Sequence, residues 1–324
     1  MLPRDLVDQT IRLCQETNPV IVGVDGSSAA LRASRWAAAI AERLKAPLLL
    51  VHAGPSLGHN PSDVIAQLRA GAIVANRETA QATLDSAEDA ARSASAAVHV
   101  MRAYLDEPAD EVLVELSRSA RMIVLGCDEV SLGTAILLGS TTTTVATNSL
   151  CPVVAWRGDA VKPTTQPIVV GVDGDHESQV AISATFDLAD RLGVGLIAVH
   201  AWPTRRGLSV VTLPAVIDWK EVEDTERQRL WEKLTPWMGR YPDVKVTCVV
   251  EMEKPSRALL RRSKGAQLVV VGSRGRGLFA GTVLGSTGLN LLHHSAVPVV
   301  ICRPAEVNGE PVSDQTTESR RHAE

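Results

Sequence analysis

Short runs of consecutive apolar residues recur along the chain, each followed by a stretch in which apolar residues return every third or fourth position. The first run, Val20-Ile21-Val22, continues as Gly23-Val24-Asp25-Gly26-Ser27. Ala33, Trp36, Ala37, Ile40, Ala41 and Leu44 then share one face of a predicted helix. A second run, LLLVHA at 48–53, ends on His52-Ala53. A loop with Pro and Gly (54–72) and a long polar helix (73–96) are predicted next, then strands at 98–103, 122–125 and 153–156.

The series then repeats. Ile168-Val169-Val170-Gly171-Val172-Asp173-Gly174 restates the opening strand, and Ala181, Ala184, Thr185, Leu188, Ala189 and Leu192 restate the helical stripe. LIAVHA at 196–201 puts His200 in the place of His52. A loop (202–216), a helix (217–239) and strands at 244–250, 268–271 and 297–302 complete the second copy. Pro108 and Pro255 stand at corresponding helix starts, where a missing N–H costs no hydrogen bond.

An internal repeat of this kind governs the architecture. Near-continuous apolar strands alternating with helices require a parallel sheet covered on both faces. Each copy therefore reads as an α/β unit, an open, doubly wound, five-stranded parallel sheet. The expected division is an N-terminal arm at 1–18, a first unit at 19–157, a linker at 158–166, a second unit at 167–304 and a disordered polar tail at 305–324. Leu2, Leu6, Val7, Ile11 and Leu13 fit either a short helix or a loose arm. The last strands, 153–156 and 297–302, would leave apolar sheet edges that must be paired or covered.

Composition narrows this picture. A chain of 324 residues suits about two domains. With 45% hydrophobic residues but only two Phe and two Tyr, the core must be aliphatic. A net charge of −4 gives no general attraction to nucleic acid or anionic membranes. No run approaches the roughly 18 apolar residues of a membrane span. The opening MLPRDLVDQT lacks the apolar core of a signal peptide, so a cytoplasmic protein is expected. The five cysteines are scattered without a C-x-x-C pair, which favours buried free thiols over a disulfide framework or a zinc site.

Open parallel sheets bind ligands beyond the carboxyl ends of their strands, where strand order reverses. In the second copy Asp173 ends the first strand, Ala201 the second, and Gly272 opens a glycine-rich stretch leading to Gly285-Ser286-Thr287 at a helix start. Glycines admit backbone amides close to an anion, and a helix N-terminus aims free N–H groups at it. With Arg274 and Arg276 in the loop, the stretch reads as a phosphate cradle.

The spacing Gly272-x₂-Gly275-x₉-Gly285-Ser286, the V-G-V-D-G opening, the V-H-A strand end and the V-P-V-V closing strand resemble the ATP-binding universal stress proteins, over about 20–157 and 167–304. The resemblance identifies a tandem member and implies a Rossmann-like, adenine-nucleotide alpha-hydrolase-like fold. It implies ATP, with or without Mg²⁺. Asp173 and the backbone at Ala201 would meet the nucleoside end; Gly272, Arg274, Gly275, Gly285, Ser286 and Thr287 would serve ribose and phosphates. It further implies antiparallel pairing of the last strands within one chain, a homodimer beyond that, and an unidentified protein partner.

Two departures modify this. Gly288 stands where the family often carries a hydroxyl. In the first copy the matching set is Asp25, Ala53, Gly126, Gly139, Ser140 and Thr142, but Glu129 replaces the second glycine beside Asp128 and the loop has no Arg. Two carboxylates repel a triphosphate, so the second copy is expected to be the better site.

Blander roles compete for several of these residues. His52 and His200 at strand ends favour packing or a backbone bond over ligation. Asp25 and Asp173 fit helix caps as well as ligand contacts. Trp202 and Trp219 favour packing of the long loop over covering a pocket. His293 and His294 suit a helix C-terminus. A nucleotide-dependent regulator leads, with a slow ATPase or phosphotransferase and a nucleotide-free scaffold as alternatives. The sequence has no Gly-x₄-Gly-Lys-Ser/Thr loop, no H-x-G-H and no S-G-G-x-D-S, so a dedicated enzyme is not expected.

Overall fold

The apolar runs at the middle of each half become strands buried on both faces. Val20, Ile21 and Val22 in β1 (Val20–Gly23) and Leu48, Leu49 and Leu50 in β2 (Leu48–Ala53) are fully buried. Successive residues point to opposite faces, so Val20 and Val22 join one packed layer and Ile21 the other. The computed structural model describes residues 3–54, 63–127, 131–132, 135–136, 139–173, 176–202, 219–273 and 284–303. The expected tail, 305–324, lies outside the described residues.

The first half runs α1 (Pro3–Thr17), β1, α2 (Ser28–Leu44), β2, α3 (Asp63–Ala94), β3 (Val100–Leu105), α4 (Ala109–Leu116) and β4 (Met122–Gly126). A small hairpin, β5 (Ser131–Leu132) and β6 (Ala135–Ile136), precedes α5 (Ser140–Asn148) and β7 (Val153–Trp156). The second half runs β8 (Ile168–Gly171), α6 (His176–Leu192), β9 (Leu196–Ala201), α7 (Trp219–Arg240), β10 (Val246–Glu251), α8 (Pro255–Ser263), β11 (Leu268–Gly272), α9 (Ser286–His294) and β12 (Val299–Cys302).

All the long strands join one ten-stranded sheet in the order β10-β9-β8-β11-β12-β7-β4-β1-β2-β3. Within each half the pairing is parallel, and the order reverses between β1 and β4 and again between β8 and β11. The halves meet through antiparallel β7 and β12, with Val299 opposite Ala155, Val300 opposite Val154 and Ile301 opposite Val153. The expected apolar edges are thus each other's partners at the centre of the sheet. The packed layers follow sheet faces, not halves: one holds Trp36, Ile40 and Trp156 together with Phe186 and Val300. The other joins Val153 and Ala155 to Val299 and Ile301.

Several boundaries differ from the sequence expectation. β3 and β10 begin two residues later than expected, because Val98 and Val244 are buried in the approaching turns instead of pairing. In the same way Val297 precedes β12, held in a turn where its N–H donates to Ser295 Oγ. α3 starts at Asp63, inside the expected loop, since helix-favouring Ala, Gln, Leu and Arg outweigh Gly71. The N-terminal segment is a helix, α1, which buries Val7 and Cys14. The linker is tied down by Gln267, whose Nε2 donates to Thr164 O and Gln166 O. The β5–β6 hairpin had no signature in the sequence; it lies against α9 of the other half.

Candidate functional site

Beyond Gly23, β1 turns through Val24 and Asp25. Asp25 Oδ1 accepts a hydrogen bond from Ser27 N–H (2.9 Å), and Ser27 Oγ accepts one from Ala30 N–H (3.1 Å). Ser27, not Asp25, is therefore the cap of α2; Asp25 shapes the turn before it, where Gly26 takes φ +85°. Asp173 occupies the same place after β8, half-buried. β9, β8 and β11 are neighbours, so Ala201, Asp173 and Gly272 stand together on the carboxyl edge, with Ala53, Asp25 and Gly126 as their first-half counterparts.

The two strand-end histidines make the same bond. His52 Nδ1–H donates to Val24 O and His200 Nδ1–H to Val172 O, each at 2.7 Å. Both rings are thus bonded to the backbone, as one of the two expected roles had it. His200 Nε2 lies 3.4 Å from Glu226 Oε2 on α7. Each imidazole also carries a stacked ring, at a centroid distance of 6.0 Å in both halves, but from different strands. Tyr104 reaches His52 from β3, where Gly54 leaves room; a Cβ on Gly54 would come within 3.3 Å of the Tyr104 hydroxyl. In the second half Val250 sits opposite His200, and Trp202 of the β9 end supplies the ring. Burial, then Asp106, raises the Tyr104 pKa, with Arg77 opposing.

The loop that Trp202 was expected to pack lies outside the described residues. With Val172, His200, Glu226, Arg229 and Lys233, Trp202 lines a cavity of about 330 Å³ at the strand ends. A larger, open hollow of about 670 Å³ is lined by Lys220, Glu221, Asp224, Gln228, Arg229 and Glu232, all on α7, and Arg229 borders both spaces. Trp219 is exposed at the start of α7.

The glycines divide into two kinds. A Cβ on Gly126 would sit 2.4 Å from Ala29 C and 2.5 Å from Ala29 O, so close packing of β4 on the first turn of α2 demands glycine there with or without a ligand. Among the described residues, none brings an atom within 4 Å of a Cβ added at Gly139. Gly126→Ala is accordingly expected to cost about 1–3 kcal/mol or more in guanidinium unfolding. Gly139→Ala should cost at most about 1 kcal/mol, the loss of a good N-cap. Equal costs would refute this division.

α5 and α9 begin alike. Their N-caps are Gly139 and Gly285, neither has an acid in its first turn, and among the described residues no side chain caps either. Ser140 and Ser286 are exposed, Thr287 is half-buried, and Thr142 and Gly288 are buried. Gly285 N–H donates to Ser273 O (2.8 Å), which seats the start of α9 beside the end of β11. The Ser273 hydroxyl is buried and has no hydrogen-bond partner among the described residues. Ser273 was not singled out from the sequence, although it directly follows Gly272; its first-half counterpart is Cys127. Asp128, Glu129, Arg274, Gly275 and Arg276 lie outside the described residues.

All five cysteines are free thiols, and among the described residues no group of His, Cys, Asp or Glu could hold a metal. No described helix is long and apolar enough to cross a membrane.

Fold and site together define a tandem α/β protein with a cavity at the carboxyl strand ends of its second half. The universal stress protein family matches residues 16–157 and 164–303, and the chain belongs to that family. A universal stress protein of Mycobacterium tuberculosis H37Rv is 38% identical over 291 residues, covering 88% of this chain and 96% of its own. One from Mycolicibacterium smegmatis is 36% identical over 296 residues, covering 88% and 97%. Among solved structures, a universal stress protein from Archaeoglobus fulgidus shares the fold with a TM-score of 0.63 at 20% identity, covering 89% of this chain and 99% of that one.

Proposed function

We propose that this universal stress protein binds an adenine nucleotide, ATP, at the carboxyl edge of its second half, and that occupancy regulates a stress response. The observation that carries the reading is the start of α9. Its N-cap is glycine, its first turn holds no acid, no side chain caps it among the described residues, and a buried Ser273 hydroxyl without a partner among them lies beside it. A helix N-terminus with its amides free is an anion site, and an unpartnered buried hydroxyl calls for an acceptor. Ser286 and Thr287 add donors, while Asp173 and the Ala201 backbone stand one and two strands away, suited to the ribose and base.

Binding, not dedicated catalysis, is the role that the sequence supports, since no nucleotide-hydrolysing loop is present. For the first half, the Asp128-Glu129 pair in the loop favours a weaker site.

The test is nucleotide content. Freshly purified protein, denatured, should release near one ATP per chain, and a Gly285→Glu variant, which sets a carboxylate against the phosphates, almost none. Release near two per chain would place the first half on an equal footing. No nucleotide, and none taken up from Mg-ATP, would overturn the reading in favour of a scaffold. Steady turnover of ATP would move the protein to the enzymes.

A further inference from the structure

Arg157 follows β7 directly and is among the largest fully buried side chains of the protein. Its guanidinium serves the other half. Nη1 donates to Ser295 O (3.0 Å) and Nη2 to Leu292 O (2.6 Å), both at the carbonyl end of α9. Arg303, which follows β12 directly, mirrors this: its Nη1 donates to Thr147 O in the last turn of α5. The last carbonyls of a helix have no partners within it and form the negative end of its dipole, so a cation suits them. A guanidinium removed from water holds its place only where acceptors meet its N–H groups. Arg157 and the end of α9 therefore fix each other.

Each arginine is also one residue away from its own half's glycine stretch. Trp156 O accepts from Cys127 N–H (2.9 Å), and Cys302 O accepts from Ser273 N–H (2.8 Å). A continuous run of bonded atoms thus joins the start of one half's loop to the carbonyl end of the other half's helix. It occurs twice, in opposite directions. The β6 strand of the first half lies against α9 as well. α5 and α9 are nine residues each, about 13 Å long, so a shift at one end is carried to the other.

We propose that Arg157 and Arg303 are reciprocal positioning residues: each holds, from one half, the helix whose N-terminus presents anion-binding amides in the other. The nucleotide affinity of each half is then set partly by its neighbour, and linkage makes that influence mutual. This rests on the nucleotide reading above and adds its regulation.

The test compares Arg157→Met, Arg157→Lys and Arg303→Met in the full chain. Amide hydrogen exchange is followed without nucleotide, and Mg-ATP is titrated in a Gly139→Glu background that leaves the second site alone. Arg157→Met should speed exchange at 289–295 about tenfold with α5 unchanged, and weaken Mg-ATP binding about fivefold to tenfold. Lys, a cation without the fork, should restore part of both. Arg303→Met should speed exchange in α5 and leave α9 as it was. Equal acceleration in both helices would mark a general loss of stability and overturn the positioning role. Faster exchange in α9 with unchanged ATP affinity would overturn control of the site and leave the nucleotide reading standing. A parent chain that takes up no ATP would overturn that reading and the proposal with it.

Discussion

Deleting residues 297–304 is expected to abolish cooperative folding of both halves and leave a chain that self-associates. β12 contributes Val299, Val300, Ile301 and Cys302, each at most 4% exposed. Burying such side chains is worth about 1.5–3 kcal/mol apiece. Four of them approach the whole stability of a typical domain, about 5–15 kcal/mol. The deletion also bares β7, whose N–H and C=O groups and apolar Val153 and Ala155 would become an edge open to any strand. Both packed layers run across the β7–β12 seam, so the damage cannot stay within the second half. Light scattering after size exclusion and a denaturant titration measure the outcome. A monomer as soluble as the parent, with the first half's transition intact, would contradict the shared core.

Alkaline pH should weaken the protein through two thiols. Burial pushes Cys151 and Cys302 up to about 12 from their ordinary value of 9.0. Below pH 9 both are protonated whether folded or unfolded, and pH has no effect through them. Above pH 9 the unfolded chain ionises and the native one does not, so native stability falls as pH rises toward 12. The slope is about 1.4 kcal/mol per pH unit for each thiol, on the order of 4 kcal/mol for the pair at pH 10.5. Urea midpoints under reducing conditions at pH 8 and pH 10.5 read this directly. The Cys151→Ala, Cys302→Ala double variant is expected to be less stable at pH 8, yet to lose about 4 kcal/mol less on going to pH 10.5. An identical drop in parent and variant would show that the thiols ionise freely in the folded protein.

The sequence by itself determined the repeat, the strands of each half, the aliphatic character of the core and the edge on which the site would stand. All of these are written in local order: periods of two and 3.6, glycines at fixed spacing, and one series appearing twice. His52 and His200 were legible as packed or backbone-bonded, and they are both. That the last strands needed cover was legible in their apolar edges; their antiparallel pairing was implied by the family resemblance, and the structure shows it.

What only the tertiary structure decided concerns residues distant in sequence, for which no spacing exists to read. Gly126 was read from the sequence for a ligand alone, and the backbone at Ala29 requires glycine there with or without one. The ring over each histidine comes from Tyr104 in one half and Trp202 in the other, an exchange visible only once β2 and β3 lie side by side with Gly54 between. Ser273 became a candidate donor only when its hydroxyl was found buried beside the start of α9. Arg157, read as the end of a unit, is the cap of a helix that begins 129 residues later in the chain, at Ser286. A guanidinium's value lies in the carbonyls it meets, and those are placed by the fold.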